Sequence, residues 1–298
     1  MKNLAKSLVR KLPYIGGLFE QLTAQGAYPA GHYYSPIPSR EDILRNLKSS
    51  EAGEIDLPDI NFNKESQYKV LQQYRSFYDE MSFPEKREPD YRYYFDQSWF
   101  CYADAIFLYC FLRKNRPKKI IEVGSGFSSA VILDTLERFS LEHTEIAFIE
   151  PYPERLTSIL KDRDREKVQV IESKVQDIPV DMMTSLGSGD FLFIDSSHVV
   201  KCGSDLKFLF FDILPRLPSG VFVHFHDVFL PFEYPSEWLF AGRFWNENYF
   251  LRAFLSFNSE WRIYFFNTYI ATVFQEYVRE NFPLCLRNTG GSLYLQRK

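Results

Sequence analysis

No stretch of this chain strings together the roughly 18 apolar residues that a bilayer-spanning helix needs, which argues against a membrane span. Paired cysteines are lacking too. Cys101, Cys110, Cys202 and Cys285 are scattered, without the close spacing of a zinc site or a disulfide framework, and read as reduced thiols of a cytoplasmic protein. Nor is there an excess of positive charge: 35 Lys and Arg face 39 Asp and Glu, a net charge of −4 that argues against a nucleic-acid partner. Internal repeats and low-complexity tracts are missing. The first 22 residues mix Lys2, Lys6, Arg10 and Lys11 with Leu4, Leu8, Val9, Leu12 and Ile15, without the apolar core and small-residue cleavage site of a signal peptide. Pro13 and the Gly16–Gly17 pair cut short any amphipathic helix there, so docking onto the protein itself is favoured over a membrane surface.

What is present in quantity is aromatic. Phe and Tyr number 29 and 19 in 298 residues, a content read chiefly as core packing. Residues 1–95 are rich in Tyr, Pro, Gln and charge, with helical patches at Glu41–Leu47 and Glu65–Tyr78. They read as an accessory or cap segment. A helix over Gln97–Arg113 is expected to join it to a domain spanning 96–298. From about residue 117 apolar strand-like runs alternate with helical patterns, the mark of an α/β fold with a mostly parallel sheet. The expected strands are 118–123, 145–150, 167–172, 191–195, 221–227, 261–266 and 292–296, the last two forming an antiparallel edge. The expected intervening helices are 128–139, 153–161, 180–186, 204–214, 247–257 and 272–279.

The most informative run is Lys119-Ile-Ile-Glu122-Val-Gly124-Ser125-Gly126-Phe-Ser128-Ser129. It reads as a buried strand, a glycine turn and a helix start, which together bring bare backbone up to a nucleotide-like cofactor. In doubly wound sheets ligands lie beyond the carboxyl ends of the strands, and Glu122, Glu150, Asp195 and Asp227 fall at such ends. An acid at Glu150 suits ribose hydroxyls. A dinucleotide fingerprint would need a third glycine where Ser129 stands. Glu122 before the turn suits a cationic aminoacyl group better than phosphates, so electrostatics favours a sulfonium cofactor.

The span from Pro117 to Asp227 resembles the class I S-adenosylmethionine-dependent methyltransferases. Glu122 to Ser129 match that family's glycine motif, Ile149-Glu150-Pro151 its ribose-binding acid, Val175-Gln176-Asp177 the loop flanking adenine, and Gly189 to Asp195 its fourth-strand motif. The branch with Asp-x-x-His followed by His-x-His-Asp-x-Phe-Leu-Pro also resembles metal-dependent sugar O-methyltransferases. Gly31 to Pro38 resemble the start of its members. The resemblance implies a Rossmann-like, doubly wound, seven-stranded sheet and S-adenosyl-L-methionine as cofactor. Its contacts would be Glu122, Gly124, Ser125, Gly126, Ser128, Glu150, Pro151, Gln176, Asp177 and Asp195.

Asp195-Ser-Ser-His198 and His224-Phe-His226-Asp227 end what should be adjacent strands, so their side chains are expected to converge. Two carboxylates and imidazoles in one pocket suit a divalent metal, with Asp195, His226 and Asp227 as ligands. Histidines stand where related enzymes carry acids, which shifts the preference from Mg toward Mn, Zn or Fe. His198 is expected to accept the proton of an acceptor hydroxyl. Without metal, His198 is the base and Asp227 orients it. His224 is read as a hydrogen-bonded structural histidine. Tyr33 and Tyr34 are candidate lid residues, Tyr102 and Asp104 candidate residues at the cofactor's mouth, and Phe229–Pro235 a candidate acceptor loop.

Three functions compete on these residues. The favoured one is O-methylation of a small polar or glycosidic acceptor. The second is a metal-dependent hydroxylase built on Asp195, His198 and His226, and the third a non-catalytic cofactor-binding subunit. The aromatic accessory segment leaves pairing of two copies open.

Overall fold

The computed structural model describes residues 26–51, 56–141 and 143–298. The expectation for residues 1–22 lies outside them. The described residues divide into two compact units, one of 26–51 and 56 with 234–244, the other of 57–141 and 143–233 with 245–298. In the smaller unit α1 spans Arg40–Glu51. Ser39 opens it, donating from its hydroxyl to Asp42 at 2.6 Å and accepting from the Asp42 amide at 3.1 Å.

The larger unit follows the expected alternation. Its elements begin with α2 (Lys64–Tyr78), α3 (Ala103–Asn115), β1 (Lys119–Val123), α4 (Phe127–Arg138), β2 (Glu145–Ile149) and α5 (Glu154–Ile159). Next come β3 (Val168–Ile171), α6 (Val180–Thr184), β4 (Phe191–Ile194), α7 (Asp205–Phe208) and β5 (Phe222–Phe225). After α8 (Ser236–Phe240), which belongs to the smaller unit, the chain continues through α9 (Glu247–Leu255), β6 (Trp261–Phe266), α10 (Asn267–Val273), α11 (Gln275–Asn281) and β7 (Leu293–Arg297). The seven strands form one sheet in the order β3-β2-β1-β4-β5-β7-β6. β1 to β5 pair in parallel, and β7 runs antiparallel between β5 and β6.

Alternation along the strands sorts side chains onto two faces. Ile120, Phe148, Phe191, Phe193 and Tyr294 pack with α3 and α4 in one core. Ile121, Val123, Ile149, Leu192, Ile194 and Val223 pack with Leu206, Leu209 and Ile213, and with Leu251 and Leu255 of α9, in the other. Residues 103 to 112 of α3 are all buried, so this helix shows no polar stripe for a periodicity reading to find. No helix among the described residues is long and apolar enough to cross a membrane.

Several expected elements are corrected. The joining helix starts at Ala103, not Gln97, because Gln97 occupies the local backbone. Its Oε1 accepts from the amides of Trp99 and Phe100 at 2.7 and 3.0 Å, and its Nε2 donates to the Phe100 carbonyl at 2.5 Å. The expected helix 204–214 is one α-helical turn that widens into a π turn at Leu209–Ile213 and tightens at Leu214–Arg216, where Pro215 cannot donate. The expected helix 272–279 is two, broken at Phe274.

Residues 57–95, read from the sequence as part of the accessory segment, belong to the larger unit. Arg92 is one reason. Its guanidinium pairs with Asp134 and Glu137 at 2.7 Å each and grips Asp164 through two bonds of 2.8 and 2.5 Å. The amides of Arg92 and Tyr93 donate to Asp134 at 2.8 and 2.9 Å. Substituting Arg92→Ala leaves the buried Asp134 and Asp164 without their countercharge, and is expected to cost about 3–5 kcal/mol in urea unfolding.

The β1–α4 turn is held from beneath. Glu122 is fully buried, and its two oxygens accept from the hydroxyls of Ser128 and Ser129 at 2.5 and 2.7 Å. Burial, opposed by those hydroxyls and reinforced by the charges of Asp195 and Glu150, pushes this carboxyl up to about 8. The folded chain therefore holds this proton more tightly than the unfolded chain. Its contribution to stability falls as pH rises from about 4.5 toward 8, by on the order of 5 kcal/mol in all. Glu122→Gln should remove that slope, so the variant gains on the wild type between pH 5 and 8 in urea unfolding. A constant difference would refute the assignment.

Candidate active site

Gly124 fixes the geometry at the switch in strand order. It sits at φ +81°, and a β-carbon there would lie 1.7 Å from the carbonyl oxygen of Asp195. Only glycine admits this approach. The Gly124 amide donates to Ile149 and the Asp195 amide to Val123, at 3.0 and 2.8 Å, so the ends of β1, β2 and β4 are laced together.

A cleft of about 450 Å³ opens above this lacing, lined by Gly124, Glu150, Pro151, Lys174, Gln176, Asp195 and Ser197 among others. Of the expected cofactor residues, Gly124, Glu150, Pro151, Gln176 and Asp195 line it. Glu122, Ser125, Gly126, Ser128 and Asp177 are not in its wall. For Glu122 and Ser128 the reason is their mutual bond beneath the turn. The Gly126 amide is turned back onto the Ser129 hydroxyl at 3.0 Å. Asp177 sits in a short turn at Val175–Asp177, one residue past the lining. Ser125 contributes its amide, which donates to Glu150 at 3.0 Å, while its buried hydroxyl has no hydrogen-bond partner among the described residues. Glu150 also accepts from the Tyr152 amide at 2.9 Å. Gln176 donates to the Gly203 carbonyl at 3.2 Å.

Asp195 is shared with a second constellation at the ends of β4 and β5. Its Oδ1 lies 3.4 Å from Nε2 of His198 and 3.4 Å from Nδ1 of His226. Asp227 faces the same two nitrogens at 3.4 and 3.6 Å. The donor atoms of Asp195, His198 and Asp227 lie within 4.8 Å of one another. His226, the imidazole assigned as ligand from the sequence, flanks that trio, whereas His198, assigned as base, belongs to it. Both His198 and Asp227 take φ +57°, a strained backbone for non-glycine residues that functional sites concentrate.

Electrostatics gives each group its state. Burial opposes charge on His198, but the bonds to Asp195 and Glu247 outweigh it and raise the ring to about 10. Charge on this ring is thus favoured by the carboxylates around it. Burial likewise opposes charge on His226, and the charges of Asp195 and Asp227 hold it well above its usual value. Asp195 is disfavoured by burial yet is held well below the carboxylate range by His226 and His198. Burial pushes the Asp227 carboxyl up despite the same two rings.

Two carboxylates stand behind the imidazoles. Glu247, the first residue of α9, accepts from or donates to His198 Nδ1 at 2.8 Å. The sequence reading placed a helix there and missed this role, since an acid at a helix start is ordinary. Asp104 was expected at the cofactor's mouth. Instead it is buried behind His226, 3.4 Å from Nε2. Tyr102 stacks on Phe95 at 5.1 Å and donates to Glu85 at 2.8 Å, away from the cleft wall. His224 is buried as expected but not hydrogen-bonded. Both ring nitrogens lack a partner among the described residues, burial holds the ring well below its usual pKa, and it stacks on Phe193 at 4.0 Å. In the smaller unit Tyr33 and Tyr34 join Tyr28 and His32 in a stack of rings with centroids 4.3 to 5.6 Å apart.

Comparison with known proteins places these features. The family described as "Methyltransferase domain" matches residues 121–228. An uncharacterized protein of Archaeoglobus fulgidus is 34% identical over 165 residues, covering 53% of this chain and 73% of that one. Among solved structures, the Podospora anserina methyltransferase PaMTH1 bound to S-adenosylhomocysteine aligns over 88% of this chain and 98% of its own at 16% identity, with a TM-score of 0.43. The Streptomyces achromogenes O-methyltransferase TomG, in complex with S-adenosylmethionine, aligns over 86% and 96% at 15% identity, with a TM-score of 0.40. On the matched motif segment and the relative aligned over most of its own length, the chain belongs to the family described as methyltransferase domain.

Proposed function

We propose that the protein transfers the methyl group of S-adenosylmethionine to a hydroxyl oxygen of a small polar or glycosidic acceptor, aided by a divalent cation at the ends of β4 and β5. One observation carries this reading: Asp195 lines the cofactor-sized cleft and is also a member of the Asp195–His198–Asp227 donor set. Cofactor and acceptor chemistry would therefore meet at one side chain.

The residues present fit both groups. A cleft of about 450 Å³ is within the range of small-molecule sites. Glu150 spends one bond per oxygen on backbone amides, which leaves lone pairs for ribose hydroxyls. At the second site, Asp195, His198 and Asp227 would hold the cation, with His226 Nδ1 alongside as a buried nitrogen that has no hydrogen bond among the described residues. Mixed imidazole and carboxylate donors favour Mn, Fe or Zn over Mg. When bound, the cofactor supplies an electrophilic methyl group and the cation lowers the pKa of an adjacent hydroxyl.

The chain's own residues supply position and proton transfer. The Gly124 turn and Glu150 would orient the cofactor, and orientation contributes much of the rate in a displacement that needs an in-line nucleophile. Asp227 would take the acceptor's proton in place of His198, because Glu247 holds one nitrogen of that ring and the cation would take the other, whereas a carboxylate has a second oxygen to offer. The hydroxylase reading uses the same cluster but gives the adjoining cleft no role.

Calorimetry with S-adenosylhomocysteine is the first test. The wild type is expected to bind, and Gly124→Ala to lose binding because its β-carbon displaces the turn. A wild type that ignores the compound sinks the reading. With labelled cofactor and a panel of polyhydroxylated acceptors, chelation should lower turnover at least about tenfold and Mn²⁺ restore it. Asp227→Asn should lower kcat by about 10²–10⁴ with cofactor affinity nearly unchanged. Turnover that is indifferent to chelation would remove the cation from the scheme. Methyl transfer that persists without oxygen would dismiss the hydroxylase.

A further inference from the structure

Two buried carboxylates outside the donor set remain to be explained, and each stands behind one imidazole. Glu247 is 1% exposed and Asp104 4%. Burying a carboxylate costs several kcal/mol unless it is paired and hydrogen-bonded, so neither position is neutral to the fold.

Glu247 belongs to a clamp. The amides of Asn246 and Glu247 both donate to the His198 carbonyl, at 3.1 and 3.2 Å. The Asn246 side chain accepts from the Val200 amide at 2.6 Å and donates to the Val200 carbonyl at 3.1 Å. These bonds hold the 198–200 backbone at the start of α9, and with it the positive φ of His198. They would suffice to fix the loop. The Glu247 side chain adds something different, a 2.8 Å bond to Nδ1 that sets the rotation of the ring and leaves Nε2 toward Asp195 and Asp227. Trp245 packs against the same ring, centroid to centroid at 4.4 Å.

Asp104 does the mirror task. Its Oδ1 accepts from Asn267 Nδ2, the Gly291 amide and the Ser292 hydroxyl, at 3.1, 3.0 and 2.6 Å. That leaves Oδ2 facing His226 Nε2 at 3.4 Å, and Nδ1 turned to Asp195 and Asp227. The two rings are thus anchored through opposite nitrogens.

We propose that Glu247 and Asp104 are positioning residues that fix the imidazoles in opposite tautomers, Nδ1–H in His198 and Nε2–H in His226, so that one bare nitrogen of each faces the Asp195–Asp227 pair when a cation is bound. The proposal rests on the cation part of the reading above and is independent of the methyl-transfer part. A carboxylate behind a ligating imidazole orients it and raises its basicity, and losing such a partner commonly weakens metal binding by 10- to 100-fold.

The test uses the full chain as wild type, E247Q and E247A. Each is titrated with Co²⁺, read by the visible absorption of the bound ion, and separately with S-adenosylhomocysteine by calorimetry. E247A is expected to lose about 10- to 100-fold in Co²⁺ affinity, and E247Q less, because its amide oxygen still accepts from Nδ1–H. Affinity for S-adenosylhomocysteine should barely move, which also shows that the variants are folded. In the wild type loaded with diamagnetic Zn²⁺, ¹⁵N spectra of the imidazoles should show one ring protonated at Nδ1 and another at Nε2. An E247A variant that binds Co²⁺ like the wild type overturns the proposal. So does a wild type that binds none, or a His198 protonated at Nε2 in the Zn²⁺ form. Loss of S-adenosylhomocysteine binding with the Co²⁺ pattern intact would instead overturn the methyltransferase reading alone.

Discussion

The approach of Gly124 to the main chain of Asp195 is the constraint on which the site depends. A β-carbon at 124 would fall 1.7 Å from the Asp195 carbonyl oxygen, well inside any van der Waals contact. Because that space is empty, the end of β1 can lie directly against the end of β4. The cleft then opens over the junction, and Asp195 stands at its wall. A one-atom change at 124 would part the two strand ends and move the residue that links cleft and polar cluster. The usual argument for glycine in such turns is access for the ligand. Here the protein's own backbone already requires it.

Charge balance is the second constraint. Asp104, Asp195, Asp227 and Glu247 surround two buried imidazoles. Four carboxylates against two rings leave a deficit of positive charge even when both rings are protonated. The protein meets part of it by holding those protons tightly and by pushing the Asp227 and Glu247 carboxyls up through burial. Such a cluster is expensive as scaffolding, and packed hydrophobic residues would stabilise the fold as well or better. Clusters of this kind concentrate at functional sites, where a cation or a charged intermediate completes them.

Much of the sheet was legible because its signals are local. The seven strand runs are apolar, the glycine turn is explicit, and the acids at Glu150, Asp195 and Asp227 follow directly from strand ends. What was hidden depends on contacts distant in sequence. Asp104 reads as a polar residue near a helix start, yet its partners are His226, Asn267, Gly291 and Ser292. Glu247 reads as an ordinary acid in a first helical turn, and nothing near it announces His198. Glu122 reads as a cofactor residue because an acid before a glycine turn suits a cationic aminoacyl group and matches the family's glycine motif. The helix that follows turns Ser128 and Ser129 back onto it and takes both oxygens. The break at Ala103 and the π turn after Phe208 were missed for a related reason. Side-chain bonds and a proline override a helical pattern that looks continuous.

The arrangement of the two backing carboxylates shows how a site at a loop edge is made rigid. Asp104 comes from α3, whose core lies on one face of the sheet, and Glu247 from α9, whose Leu251 and Leu255 pack on the other. Each imidazole is therefore tied to a different layer, while Asp195 and Asp227 directly follow the ends of β4 and β5 between them. Loops tend to be mobile, and a site built on them loses the alignment that catalysis needs. Anchoring the 198–200 loop to one layer and His226 to the other removes that freedom without placing any of the four side chains inside a strand. A shift of either helical layer would change the distance between the rings and hence the spacing of the donor atoms they share with Asp195 and Asp227. The spacing of the donor atoms is consequently a property of how both layers pack on the sheet, and packed layers resist such shifts far better than a loop does.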